Sequence, residues 1–337
     1  MDEPVEDPRR ELRTSVGLFL ATLASVFFTY GWNWSGGDPL SDPSVAIDSA
    51  LFAVSLMSIL LAHELGHYIV ARRHGFELTL PYFIPFPAAF GTFGAIIRLK
   101  SLPRSRTALL EMGAAGPIAG AVVSILVMAL GLPSTGPAPE IALPVPLAAP
   151  EPGLLDPLFA ALDHLLSAPW LQPLMDWISP PIPAGHVPVL IFSNPPVMDL
   201  LGTLILGAPP GRFDTLSPLA LAGWVGCLLT AINLIPIGQL DGGHVLTGLL
   251  PRQASRISRV LLGLALLAGV LWSGWLFWAF MLMILGAWRN LDVPERPPLS
   301  RRARIVAVVV ALVFALTFMP RPVEMDSLPA VAAPAAP

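Results

Sequence analysis

Apolar runs long enough to cross a bilayer recur along the chain, at about residues 15–34, 45–71, 107–131, 217–237 and 303–319, with one further continuous apolar block at 260–286. In lipid each must satisfy its own backbone, so each reads as a helix. The first run follows the segment MDEPVEDPRRELRT, which carries five acids and three arginines. That run is too long for a signal-peptide core and no cleavage site is evident, so it reads as an uncleaved span behind a cytosolic tail. Composition agrees. The 337 residues are 54% hydrophobic and 12% charged, with a mean hydropathy of +0.70. An ordinary soluble domain has roughly 25% charged residues, so a soluble globule is excluded.

Short loops that hold Arg and Lys are retained in the cytosol. Arg72, Arg73, Arg98, Lys100, Arg104 and Arg106 therefore face that side. Residues 133–216 carry seven acids against one basic residue, Arg212, and belong outside. Arg252, Arg256 and Arg259 precede the 260–286 block, and Arg289, Arg296, Arg301, Arg302 and Arg304 follow it, so both of its ends point to the cytosol. A helical hairpin bent near Ser273 and Gly274 meets that demand, although each arm of about 14 residues reaches only roughly 20 Å into a 30 Å core. One tilted span with an external arginine-rich segment is the alternative. The expected architecture is an all-α polytopic membrane protein of six or seven membrane segments.

The chain divides accordingly into 1–44, tail and first span; 45–132, second and third spans; 133–216, an extracytoplasmic loop; 217–250, the fourth span; and 251–337, C-terminal membrane segments and tail. The external loop is proline-rich and long for a plain connection. Leu158, Leu162, Leu165 and Leu166 recur in it at helical spacing, and VPVLIFSNPPVMDLLGTLILG is apolar but interrupted by Asn194, Pro195, Pro196 and Asp199. Both stretches read as interfacial.

The net charge is −4 and the basic residues are scattered among short loops, which excludes a nucleic-acid surface. Cys227 is the only cysteine, which excludes an internal disulfide and a cysteine zinc cluster. Any metal must use His and carboxylate. His63-Glu64-Leu65-Gly66-His67 supplies such ligands, since residues four apart share a helix face and Glu64 stands beside them as a candidate base. Ionisable groups inside an apolar helix face a bundle interior or a water-filled cavity.

A catalytic zinc takes three protein ligands and keeps its fourth position open. Besides Glu64 and Asp241, only Asp48 and Glu111 touch apolar spans. Asp48 lies about four turns from His63, roughly 20 Å away on the same helix. Asp241 is the favoured third ligand. Its surroundings, Asn233 to His244, contain Pro236, Gly238, Gly242 and Gly243, which would unwind the end of the fourth span. A helix end capped by Asp-Gly-Gly is the plainer reading, and His244 is either a substitute ligand or a packing neighbour. Gly116 and Gly120, four residues apart in the third span, are accounted for by close helix packing.

HELGH on one span and NLIPIGQLDGG on a later one resemble the site-2 protease family of intramembrane zinc metalloproteases, in both motifs and their order. The resemblance covers about residues 45–250. It implies that His63, His67 and Asp241 bind zinc, that Glu64 activates water, and that Asn233 positions the scissile peptide or its oxyanion. The stretch LTLPYFIPFPAAFGTFGAIIRLKS suits a hairpin or re-entrant element. The family has membrane-associated strands there, so the resemblance adds a small membrane-associated β element. It also implies a substrate-binding role for Gly91 and Gly94, with a plain turn as the alternative. Its wording is closest to the branch of plant chloroplast members and their bacterial relatives, and with no transit peptide evident a bacterial inner membrane is the simpler location.

The implied function is cleavage of transmembrane protein substrates within or beside their spans in the lipid bilayer, near the cytosolic side, with release of cytosolic domains. Two alternatives stay open. A zinc-binding transporter or chaperone needs no general base, and a membrane protease of the prenyl-protein-processing kind uses a distant glutamate as third ligand. The metal itself is read from ligand type, and iron also suits two histidines and a carboxylate.

Overall fold

The computed structural model describes residues 8–97, 105–137, 186–284, 286, 288–291, 293 and 298–329, with the single positions 169 and 173. Arg98, Lys100 and Arg104, and the leucine-patterned stretch of Leu158 to Leu166, lie outside the described residues. The chain forms two compact units. The larger comprises Met1–Gly136, Asn194–Gly211 and Leu216–Pro322, and the smaller Pro137–Ser193, Arg212–Thr215 and Val323–Pro337.

The larger unit contains α1 (Pro8–Asn33), α2 (Pro43–Arg73), β1 (Tyr82–Pro85), β2 (Thr92–Ile96), α3 (Arg106–Gly131), α4 (Pro196–Leu206), α5 (Pro218–Asn233), α6 (Asp241–Leu249), α7 (Pro251–Ala268), α8 (Gly274–Ile284) and α9 (Arg301–Thr317). Local chemistry fixes the helix ends. Ser105, Ser217 and Ser300 accept from the N–H groups of Ala108, Ala220 and Ala303 and start α3, α5 and α9. Asp42 starts α2 by accepting the Ser44 hydroxyl and N–H at 2.7 and 2.8 Å, which hold its carboxyl below the usual carboxylate range. At the other end of α2, Gly75 is left-handed, the Phe76 N–H returns to the Ala71 carbonyl and the Gly75 N–H to that of Arg72, a Schellman stop.

Among the described residues three helices are long and apolar enough to cross a membrane: Pro8–Asn33, Pro43–Arg73 and Arg106–Ser134, the last including a short 3-10 turn after α3. The 303–319 run forms α9 at its full length, but two of the remaining expected segments form helices shorter than their apolar runs. The 217–237 run yields α5, which ends at Asn233 where Pro236 and Gly238 turn the chain. The 260–286 block is not one helix: it breaks between Ala268 and Gly274, and α7 and α8 fold back so that Leu262, Ala279 and Leu282 enclose Ile237.

Helix α3 is central and packs against α2, α5, α6 and α9. Small residues let the backbones approach. A Cβ at Gly66 of α2 would meet the Ala115 carbonyl at 2.5 Å, and one at Gly223 of α5 would meet the Met128 backbone at 2.8 Å. Leu110 and Ala114 of α3, Val245 of α6 and Ala303 and Val310 of α9 close the far side as one apolar cluster.

Strands β1 and β2 form an antiparallel pair with Phe83 opposite Ala95 and Pro85 opposite Thr92. Two steps along β1 thus face three along β2, a bulge built on Gly94 at φ +90°. The Thr92 hydroxyl lies 2.9 Å from the Gly94 N–H and accepts it. Helix α1 and the residue after it hold the pair from one side: Glu11 accepts the Leu80 N–H at 2.6 Å, the Ser15 hydroxyl donates to the Pro81 carbonyl at 2.7 Å, and the Trp34 indole donates to the Ala89 carbonyl at 2.7 Å.

In the smaller unit β3 (His186–Phe192) pairs antiparallel with β4 (Val323–Pro329) without a register break, and Arg212 bridges Glu324 and Asp326 at 3.2 Å each. Within VPVLIFSN, residues 187–192 are thus strand, paired with Val323–Pro329. Branched and aromatic residues suit that state as well as a membrane interface.

Candidate metal centre

Helix α2 carries His63 and His67 one turn apart, and their ring centroids are 4.8 Å from each other. His63 and Glu64 are buried, each with 7% of its surface exposed. The third member comes from the broken fourth segment. α5 stops at Asn233, and the chain then makes a tight passage in which the Gly238 N–H donates to the Ser258 hydroxyl at 3.1 Å. α6 then begins at Asp241. A Cβ at Gly242 would overlap the Leu234 carbonyl and one at Gly243 the Gly238 carbonyl, so these glycines let the start of α6 lie on the turn. Asp241 occupies the first helical position, where the aligned N–H groups favour a carboxylate.

The two Nε2 atoms are 3.1 Å apart, and the carboxylate oxygens of Asp241 lie 3.2 Å from His63 Nε2 and 3.3 Å from His67 Nε2. Ligand atoms held tetrahedrally at about 2.0–2.1 Å from one zinc ion stand about 3.3 Å from each other, so the observed spacing suits one ion. Among the described residues His63, His67 and Asp241 are the group that could hold a metal. His67 Nδ1 lies 2.9 Å from the Met112 carbonyl oxygen of α3. A ring that donates from Nδ1 keeps its Nε2 lone pair for a metal.

Glycines of α3 make room for the imidazoles. A Cβ at Gly116 would overlap the His67 ring, and one at Gly120 would lie 3.1 Å from His63 Nδ1. The four-residue spacing read as helix packing is packing, but of a helix against the His63 and His67 side chains. Sequence reasoning missed this, and it missed the Met112 carbonyl, which has no sequence signature.

A cavity of about 580 Å³ opens beside the triad, with Glu64, Asn233, Gln239 and His244 on its walls together with Ala95 and Ile96 of β2. Gly94 directly precedes this wall. Gly91 does not line the cavity: its α-carbon is pressed against the Val26 backbone of α1, where a Cβ would overlap it. Glu111 is engaged elsewhere, 2.9 Å from His74 Nε2 and 3.8 Å from the Arg302 guanidinium. The site therefore combines two imidazoles, one carboxylate at a helix start, a second buried carboxylate next in sequence to one imidazole, and a roomy cavity of mixed polar and apolar walls. That set can bind a divalent cation and move a proton beside it.

A sequence profile of peptidase family M50 matches residues 51–273. "Probable zinc metalloprotease EGY1, chloroplastic" of Arabidopsis thaliana is 30% identical over 288 residues, covering 81% of this chain and 43% of that protein. The protein of the same name from Oryza sativa subsp. japonica is 29% identical over 285 residues, covering 80% and 41%. "Probable zinc metalloprotease EGY2, chloroplastic" of Oryza sativa subsp. indica is 27% identical over 291 residues, covering 83% and 44%. The chain thus spans about two fifths of the length of these curated relatives. No solved structure matches it.

Proposed function

The chain belongs to peptidase family M50, the site-2 protease family, and from that membership we propose that it is an intramembrane zinc metalloprotease cleaving peptide bonds in or near the transmembrane segments of other membrane proteins. One observation carries the reading: His63, His67 and Asp241 converge with their ligand atoms within 4.8 Å of one another, and Glu64 lines the same cavity.

In this reading His63, His67 and Asp241 hold zinc. When bound, zinc supplies Lewis-acid activation of water and of the scissile carbonyl. Glu64 takes the proton of the attacking water on a carboxylate oxygen and returns it to the leaving amide nitrogen as the C–N bond breaks. Met112 holds His67 in the ligating tautomer. Asn233 donates its amide to the substrate carbonyl. The substrate, unwound from its helix, adds as a strand to the free edge of β2 at the bulge of Gly94. Gly91 contributes by seating the hairpin turn on α1. The glutamate, which a transporter or chaperone would not need, favours catalysis.

The three long helices support an integral membrane protein. We assign six or seven membrane segments, counting α5, the α7–α8 hairpin and α9, with the hairpin β1–β2 associated with the membrane. His63 lies ten residues before the basic end of α2 at Arg73, about 15 Å along the helix. By the positive-inside rule that end is cytosolic. A bacterial inner membrane is the assigned location; the named relatives are chloroplastic, and fractionation of the source cells decides between the two.

The test compares new N-termini of membrane proteins in cells carrying the native chain or Glu64→Gln. Fragments that map beside transmembrane segments and disappear with Glu64→Gln are the expected result. Identical fragment sets from metal-loaded protein would overturn the reading.

A further inference from the structure

Helix α6 brings a second ionisable side chain to the cavity that the metal triad does not use. His244 follows Asp241 by three residues, so both project from one face of α6. It lines the cavity with Glu64, Asn233 and the triad, yet it is not part of the metal-binding group. Its Nδ1 is sealed from solvent and has no hydrogen-bond partner, while the side chain as a whole is only partly buried. The open edge of the ring is therefore the one toward the cavity. Gly113 of α3 makes the placement, since a Cβ there would meet His244 Cβ at 2.7 Å.

An apolar side chain of similar size would fill the space without leaving a polar nitrogen unpaired. The next turn of the same helix face shows the contrast. The Thr247 hydroxyl donates to the Gly243 carbonyl at 2.7 Å and accepts the Asn290 amide at 2.9 Å, so its polar demand is met within the protein. At His244 one ring edge, Nδ1, is sealed and unpaired, and it is the other, open edge of the partly buried ring that meets the cavity.

We propose that His244 is a substrate-contacting residue: its imidazole N–H donates to the carbonyl oxygen of the scissile peptide and holds that oxygen more tightly as it gains negative charge. This rests on the protease reading above. Asn233 ends α5 and His244 lies on α6, so the two donors approach the substrate from either side of the turn that presents Asp241. No bond to His244 forms or breaks; a fixed donor acts on charge that develops only in the transition state.

The experiment uses the purified full chain, zinc-loaded, in vesicles of phosphatidylethanolamine and phosphatidylglycerol. The probe is a fluorogenic single-span peptide with an Asn-Pro break in its apolar segment. Cleavage by the native chain and none by Glu64→Gln is the entry control; without it the protease reading falls and this proposal with it. With the control met, His244→Ala is expected to keep one metal per chain and the native melting temperature. Its kcat should fall about 100-fold with KM within about threefold. A phosphinate version of the probe, whose charged oxygen imitates the oxyanion, should bind about 100-fold more weakly. His244→Gln, whose amide nitrogen reaches about as far as Nε2, should regain at least tenfold. Native kcat in His244→Ala overturns the proposal. So does loss of metal, which would make His244 a ligand, and so does a lowered melting temperature with no rescue by glutamine, which would make it packing.

Discussion

His67 Nδ1 stands 2.9 Å from the carbonyl oxygen of Met112, and through this contact α3 sets the tautomer of a ring that belongs to α2. The bond fixes the direction of the Nε2 lone pair, and the centre depends on main-chain geometry that no substitution at Met112 can remove. Nitrogen NMR of histidine-labelled, zinc-loaded protein is expected to show a histidine with a protonated Nδ1 and no proton on Nε2, and His67→Asn is expected to remove that signal. An unprotonated Nδ1 at His67 in the zinc-loaded protein would contradict the assignment.

Asp241 reaches the histidines from the start of α6. Asp241→Ala is expected to leave the helical spectrum unchanged while zinc, measured on the purified chain, falls from one per molecule to near zero and cleavage drops at least about 1,000-fold. Chelation of the native chain should give the same inactive state and lower its melting temperature, both reversed by zinc, because an ion that binds the folded form stabilises it by mass action. Retained zinc in Asp241→Ala would point to a different third ligand.

Gly116 and Gly263 make a matched pair for substitution. A Cβ at Gly116 enters the space of the His67 ring, whereas one on the open face of α7 at Gly263 meets nothing within 4 Å. Gly116→Ala should weaken zinc binding by roughly 10- to 100-fold, the range for a change that disturbs ligand support. Gly263→Ala should keep full zinc content and gain up to about 1 kcal/mol from helix propensity. Equal zinc affinity in the two variants would deny Gly116 its role.

Glu11 accepts the Leu80 N–H at 2.6 Å at the entrance to β1. Replacing it by alanine removes a charge-assisted bond of about 1.5–3 kcal/mol, so local opening becomes easier. Hydrogen exchange over residues 78–97 is expected to quicken about tenfold or more in Glu11→Ala and to stay nearer native in Glu11→Gln, which keeps the acceptor. If β2 receives substrate, KM should rise more than kcat falls. Unchanged exchange would show that Ser15 and Trp34 hold the hairpin without Glu11.

The parts of the molecule that follow local rules were legible in the sequence. His63 and His67 were readable because spacing by four dictates a shared helix face, and Asp241 because a proline and three glycines mark a helix that must break. The number of long helices was not: an apolar run counts residues without regard to whether the helix through them continues, so 217–237 and 260–286 looked longer than the helices they form. The pairing of β3 with β4 joins segments far apart in the chain, and neither carries a mark of the other. The use of Gly116 to seat an imidazole escaped notice because a stripe of small residues looks the same whether a helix or a ring lies against it.

The triad draws two members from α2 and the third from beyond α5, past the turn that Ser258 fastens. During synthesis the histidine pair enters the membrane long before residue 241 leaves the ribosome, and Ser258 follows later still. Until then the growing chain holds two of the three ligand side chains. In the proposed reading a product truncated before Asp241 would lack a complete cation site, and acquisition of metal would report that the chain had been made and folded at least through the turn that Ser258 fastens.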